Sequence, residues 1–308
     1  MNNCVLVHLA SGIGNIVLAT PLLIALSELD YEIDVLLHAD YPEVEMLLKE
    51  WRIIRNVIDG NKKTLPRFNE YSALIPAIPP FYLQKYGHVF DGCENLITRP
   101  SDGLFYNNER SYYLEYAYKL GYPQSRNPQC YLPIQPSINV ESGLNYIVLA
   151  PGSKTGEMSK KRWPYFPQLA EQFENVIVVG TQDDLYDCSE QKYKFPDSVC
   201  SYVGKLNLKE TAEIIASAEV FVGNDNGLSH LSAAIGVETV IIFGPTPDKT
   251  LGYNNINIIR SGFSCEPCWF NNRQFRKCNK QIDCLNNITV NQVKELVNNI
   301  IIKNQNGN

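Results

Sequence analysis

The densest set of chemistry-bearing residues in this 308-residue chain is Asn224-Asp225-Asn226-Gly227, followed by His230 and then Gly244-Pro245-Thr246. Glu219–Val222 reads as a short strand, the Asn-Asp-Asn-Gly run as a turn, and Leu228–Ile235 as a helix closed by Gly236. Thr239–Phe243 is an apolar, β-branched run of the kind buried on both faces of a sheet. A turn that enters a helix at the carboxyl end of a parallel strand turns free amides and the helix dipole toward an anion. Alone, Asp225 would read as an N-cap and His230 as a packed histidine. Grouped with Gly-Pro-Thr at one end of one βαβ unit, they read as a ligand site, because ligands of open α/β sheets bind at that end.

Further groups have a similar setting. An apolar strand at Tyr146–Ala150 leads into the loop Pro151–Gly156 and then Lys160-Lys161-Arg162-Trp163-Pro164. Three adjacent cations can be a solvated face, but a lysine near a strand's carboxyl end is a standard phosphate ligand. Pro164 suits the first position of the helix that follows. The strand Val176–Gly180 ends at Asp183-Asp184, where a carboxylate either accepts from ribose hydroxyls or caps a helix. Near the start, the strand Cys4–Leu9 is followed by a turn at Ala10–Asn15 that contains Gly12 and Gly14, and by a helix over Ile16–Leu29. Pro21 should bend that helix or mark its first turn. The third glycine of a dinucleotide fingerprint is missing, so a nicotinamide site is weakly supported. His8, on the first strand, is either a group titrating near neutrality or a packed strand histidine. Cys265, Cys268, Cys278 and Cys284 suit a small tetrahedral zinc or iron site, with free thiols or a disulfide as the alternatives.

DNGLSHLSAA followed by FGPT resembles the signature of the ADP-heptose:lipopolysaccharide heptosyltransferases, glycosyltransferase family nine. In that family an Asp-Thr/Ser-Gly-x-x-His stretch binds the donor's pyrophosphate and sugar. The resemblance implies donor contacts for Asp225, Asn226, Gly227, His230 and Gly244, although the family usually has Thr or Ser where this chain has Asn226. It extends to the Pro-Gly loop with Gly152, Ser153 and Thr155, and to a Lys-x-Trp-Pro element whose lysine, here Lys161, contacts donor phosphate. It also favours Asp184 over Asp183 for the ribose and places Leu206 against the adenine. Similar cysteine clusters occur at the same point in many members. In the family's N-terminal Gly-Asp loop, the Asp is the proposed catalytic base. Gly14 and Pro21 keep the spacing, but Asn15 stands in place of the Asp and cannot take a proton at neutral pH. Asn15, Asp225 and Lys161 are thus the candidate catalytic residues, with His8, Asp91 and Asp102 as candidates for a relocated base.

The resemblance implies α/β folding in the GT-B architecture, two Rossmann-like domains with parallel sheets facing each other across a cleft. It also implies inverting transfer of a heptose-like sugar from a nucleotide donor to a glycan or lipopolysaccharide-type acceptor, without a catalytic metal or cofactor. Two alternatives stand beside it: a nucleotide-sugar-binding protein that has lost turnover, for which Asn15 speaks, and a GT-B sugar-nucleotide epimerase. The Pro-rich polar stretch Gly121–Gly143 has linker composition, and a boundary near residues 138–143 predicts an acceptor domain over 1–140 and a donor domain over 141–308. A net charge of −6 argues against nucleic acid as the main partner. No apolar run approaches the roughly 20 residues of a membrane span. Met1–Leu9 lacks a basic segment, so a cytosolic protein is expected, with peripheral contact to a lipid-linked acceptor at the membrane. In that setting the nine cysteines suit thiols or metal ligands better than disulfides.

Overall fold

A computed structural model of the chain describes residues 3–62, 64–136, 145–248, 253, 255–269, 278 and 282–306. The chain divides into two compact units, one over Met1–Pro133 and the other over Ile134–Asp248 with Asn254–Asn308; Tyr253 groups with the first. The division thus falls within the expected linker stretch 121–143, ahead of the boundary expected near 138–143, whose residues lie outside the described ones.

The first unit holds a four-stranded parallel sheet. Its strands are β1 (Cys4–Ser11), β2 (Glu32–Ala39), β3 (Ile54–Asp59) and β4 (Ala73–Ala77), in the order β3-β2-β1-β4. Every residue of β1 is buried, as its apolar run predicts for a strand covered on both faces. The strand continues past Leu9 to Ser11, and the helix begins at Ile13. Gly14 and Asn15 therefore lie inside α1 (Ile13–Leu18) rather than in a loop. The expected single helix is broken after Leu18, and Pro21 sits in the first turn of α2 (Thr20–Glu28), where its missing N–H leaves no helix bond unmade. Helix α3 (Val44–Lys49) joins β2 to β3, and after β4 the chain forms short helical turns over residues 80–90 and Asp102–Asn107. It leads into α4 (Glu109–Lys119), capped by the Asn108 side chain, which accepts from Ser111 N at 2.9 Å. Tyr112 and Tyr116 share a face of α4, are fully buried, and donate to the Ile78 and Pro76 carbonyls beyond β4 and within it. They are packing residues that fix α4 against the sheet.

The second unit carries six parallel strands: β5 (Ile147–Ala150), β6 (Val176–Val178), β7 (Cys200–Ser201), β8 (Val220–Asn224), β9 (Thr239–Ile242) and β10 (Ile256–Ile259). Their order, β7-β6-β5-β8-β9-β10, reverses direction between β5 and β8. That is the doubly wound order in which the crevice at the reversal takes a ligand. Helices α5 (Phe166–Ala170), α6 (Leu208–Ala216), α7 (Gly227–Ile235) and α8 (Val290–Asn306) complete the unit. Apolar clusters cover both faces of the sheet, Trp163, Phe166 and Val293 on one side and Tyr146, Ile215 and Phe221 on the other. Burying each such side chain is worth roughly 1.5–3 kcal/mol. Pro164 does not open α5 as expected; Pro167 takes the first-turn position instead. Trp163 is held short of the helix because its backbone N–H donates to Asn224 Oδ1 at 3.0 Å.

Candidate functional site

The reversal between β5 and β8 gathers most of the residues expected to bind the donor. Strand β8 runs through Asn224, and the residue that caps α7 is Asn226, not Asp225. Asn226 Oδ1 accepts from Ser229 N at 2.9 Å, while its Nδ2 donates to Gly152 O at 2.7 Å and Ala150 O at 3.3 Å. A threonine or serine can cap the helix, but its single hydroxyl proton cannot reach both carbonyls as well. Asn224, fully buried, adds a second tie, donating to Pro151 O at 2.5 Å and Gly152 O at 3.3 Å. These two amides clamp the loop after β5 against the turn that enters α7. Gly227 supplies the first residue of that helix.

With Asn226 as the cap, Asp225 is released for chemistry. Its Oδ2 lies 3.0 Å from Lys161 Nζ and its Oδ1 lies 3.6 Å from His230 Nε2. The side chains of Asp225 and Lys161 are only 15% and 14% exposed. Burial alone would raise the Asp225 carboxyl, but Lys161, His230 and Thr246 together hold it well below the usual carboxylate range. The carboxylate is therefore ionised at any physiological pH, beside a lysine and the N-terminus of a nine-residue helix. This arrangement can accept from sugar hydroxyls on one side and hold phosphate oxygens on the other.

Around this centre the other expected residues divide. Gly152 must be glycine, since a Cβ there would lie 1.9 Å from the Asp184 carboxyl oxygen. Asp184 itself takes the capping role: its Oδ2 accepts from Thr181 N at 2.8 Å and Thr181 Oγ1 at 3.0 Å. Burial, set against those bonds, leaves its carboxyl raised. Ser153 is buried and donates to Met158 O at 2.8 Å, which holds the loop rather than a ligand. Thr155 is exposed on the turn before Gly156–Lys161, and Leu206 is half-buried against the apolar cluster that holds Tyr146, Ile215 and Phe221. Gly244 backs onto the cysteine segment, where a Cβ would meet Leu285 Cδ2 at 2.9 Å and Cys284 Sγ at 3.3 Å. Of the three adjacent cations, Arg162 is buried and donates to the Ser153, Asp183 and Tyr186 carbonyls, so it is structural. Apart from the Lys-x-Trp-Pro resemblance, nothing local in the sequence separates its role from that of Lys161.

Cys265, Cys268, Cys278 and Cys284 line one cavity of about 110 Å³, together with Lys160, Pro245 and Glu266. All nine cysteines are free thiols. Among the described residues no three His, Cys, Asp or Glu side chains stand close enough to ligate one ion as they are placed. The soft donor set therefore fits zinc or iron in chemistry, while the thiol positions do not form a ready-made tetrahedron.

In the first unit Asn15 is part of a chain of polar groups. Its Oδ1 accepts from Ser11 Oγ at 2.5 Å, and its Nδ2 donates to Glu109 Oε1. Of its two readings, His8 takes the packed strand histidine. It is fully buried, its Nε2 lies 2.7 Å from His38 Nδ1, and burial, then His38 and His88, push it down to about 3. It stays a neutral packing residue. Asp91 is an exposed turn residue, and Asp102 pairs with Arg99 at 2.6 Å.

Residues 110–278 match the family model described as Glycosyltransferase family 9 (heptosyltransferase). The chain belongs to glycosyltransferase family 9. Among curated relatives, it is 29% identical over 152 residues to lipooligosaccharide heptosyltransferase 2 of Campylobacter jejuni, a match covering 44% of this chain and 46% of that protein. The chain thus spans about half the length of the curated relatives it matches. Its fold is that of the family's GT-B members. Escherichia coli ADP-heptose LPS heptosyltransferase II superposes with a TM-score of 0.74 at 19% identity, covering 98% of this chain and 99% of that one. The iron-containing dodecameric glycosyltransferase TibC from enterotoxigenic E. coli superposes with a TM-score of 0.67 at 17% identity, covering 96% and 78%.

Proposed function

We propose that this family 9 protein is an enzyme that transfers a heptose-like sugar from a nucleoside-diphosphate donor to a glycan acceptor of the lipopolysaccharide class. The single observation that carries the reading is the Asp225–Lys161–His230 group at the N-terminus of α7, at the reversal of the second sheet. The acceptor oxygen attacks the anomeric carbon as the bond to the diphosphate oxygen breaks, which inverts that carbon. The amides of Asn226 and Gly227, the α7 dipole and Lys161 stabilise the charge that develops on the leaving diphosphate. Asp225 receives hydroxyls of the donor sugar and keeps Lys161 in place until phosphate arrives. Lysine and helix terminus together supply the positive charge that a divalent ion supplies elsewhere, so the transfer needs no catalytic metal. The heptose and the lipopolysaccharide-type acceptor are taken from the named relatives, and a lipid-linked acceptor would bring the protein to a membrane surface. No helix among the described residues is long and apolar enough to cross one. The four thiols would hold a structural zinc or iron ion, and the iron named in TibC supports that assignment.

The test has two stages. Nucleoside diphosphates and ADP-sugars are screened for a rise in Tm, since a ligand of the native state stabilises it. Release of nucleoside diphosphate is then followed with and without acceptor, and the products are assigned by NMR, which separates transfer from epimerisation. A screen in which no nucleotide raises Tm would refute the reading.

A further inference from the structure

Asn15 can orient a hydroxyl but cannot take its proton, so a transferase with this chain needs a proton acceptor elsewhere. The first sheet supplies one. Its strand order places β1 beside β4, and the carboxyl end of β1 is Ser11, which holds a φ of 124°. A non-glycine residue in that region is strained, and such strain gathers at functional sites. Ser11 Oγ donates to Asn15 Oδ1, which turns the amide so that Nδ2 faces the Glu109 carboxylate. Glu109 is the first residue of α4 and is buried. Its Oε1 also lies 3.4 Å from Tyr113 Oη. The two tyrosines that pin α4 to β4 make this a carboxylate on a rigid element rather than on a loop. The competing carboxylate, Asp40, is exposed just beyond β2, and both of its oxygens accept from Tyr82 Oη.

We infer that Glu109 is the catalytic base of this chain and that Asn15 is its positioning residue. The inference rests on the transferase reading given above. As the acceptor oxygen bonds to the anomeric carbon, its proton passes to the Glu109 carboxylate and the C–O bond to the diphosphate breaks with its electron pair. Glu109 then returns the proton to solvent. The amide at position 15 follows from the carboxylate at 109. Two carboxylates at hydrogen-bond distance cannot both stay ionised, whereas one amide and one carboxylate can share the contact without penalty. By the same argument the pair can be exchanged, with Asp at 15 and Gln at 109.

The experiment is steady-state turnover of ADP-heptose with a heptose-free lipooligosaccharide acceptor, for wild type, Glu109→Gln, Asp40→Asn and the double variant Asn15→Asp/Glu109→Gln. Glu109→Gln should lose about 100-fold or more in kcat, with the donor KM little changed and ADP still raising its Tm. The double variant should recover at least about ten-fold of that loss, which a merely structural role for Glu109 would not give. Glu109→Gln retaining more than about a third of wild-type kcat overturns the inference. So does an equal loss in Asp40→Asn with no recovery in the double variant. Wild type that binds ADP but releases none from ADP-heptose overturns the transferase reading itself, and this one with it.

Discussion

Replacing Lys161 with methionine keeps most of the apolar stem but strands the Asp225 carboxylate. Breaking a buried ion pair by removing one partner costs about 3–5 kcal/mol. Here both side chains retain some exposure, at 14% and 15%, and His230 lies 3.6 Å from the other carboxylate oxygen. Both soften the loss, so about 2–3 kcal/mol is expected at pH 7. For a domain of this size each kcal/mol moves Tm by roughly 2–4 °C, giving a drop of about 4–12 °C. The pH dependence gives a stricter test. In wild type the carboxyl is held below its ordinary value, so its contribution is complete above ~4 and is lost only as pH falls through the depressed value. Without Lys161 the largest lowering influence is gone, so the carboxyl stands higher than in wild type. The variant then carries a penalty that shrinks as pH falls through that higher value. Scanning calorimetry at pH 7 and pH 5 should show the gap to wild type narrowing at pH 5. A variant that melts within about 1 °C of wild type at pH 7, or a gap that is constant or wider at pH 5, would refute the buried-pair account.

Asn226→Thr should keep the cap on Ser229 N and lose both ties to the β5 loop. A fall in stability of ~1 kcal/mol is expected, read by urea titration, and an unchanged midpoint would show that the clamp is idle. His8 is held down to about 3, below its ordinary value near 6.5, so its neutral burial stabilises the native state fully above ~6.5 and ever less as pH falls toward the lower value. His8→Phe should therefore flatten the acid limb of the stability curve between those limits by about 1–3 kcal/mol; a limb as steep as that of wild type would contradict this. Purified protein should carry about one equivalent of zinc or iron, lost on chelation. Elemental analysis that finds no metal, with all four thiols titrating freely, would reject the ion.

Much of the second unit was legible because its signals are local. The run Thr239–Phe243 became β9 almost to the residue, and Gly236 closes α7 with a φ of 100°, the left-handed cap its position required. The grouping of Asp225, Gly227 and His230 was legible through spacing, since they sit within one turn-and-helix unit. What escaped is tertiary. Asp225 and Asn226 are equally good caps by type, and only the reach of the Asn226 amide to Gly152 decides between them. Glu109 reads as an ordinary helix start, and nothing near it in sequence indicates a partner at Asn15, 94 positions away. Asp184 sits where a ribose acceptor would, yet Thr181, three residues before it, takes its carboxylate. His8, by contrast, was legible as a packed strand histidine, and a strand buried on both faces denies it the proton.

The strand end that carries Gly244 has a second neighbour. On one side Thr246 faces Asp225; on the other Pro245 accepts from Cys268 N at 3.0 Å and from Trp269 N at 2.9 Å, and Gly244 rests on Cys284. One three-residue wall thus separates the proposed sugar-phosphate site from four oxidisable thiols. Air is then a variable in any assay of this protein. Material purified without reductant, or stripped of its ion and left to oxidise, would hold nucleotide differently from fresh material of identical sequence. Batches should therefore be compared by thiol count before their affinities are compared at all.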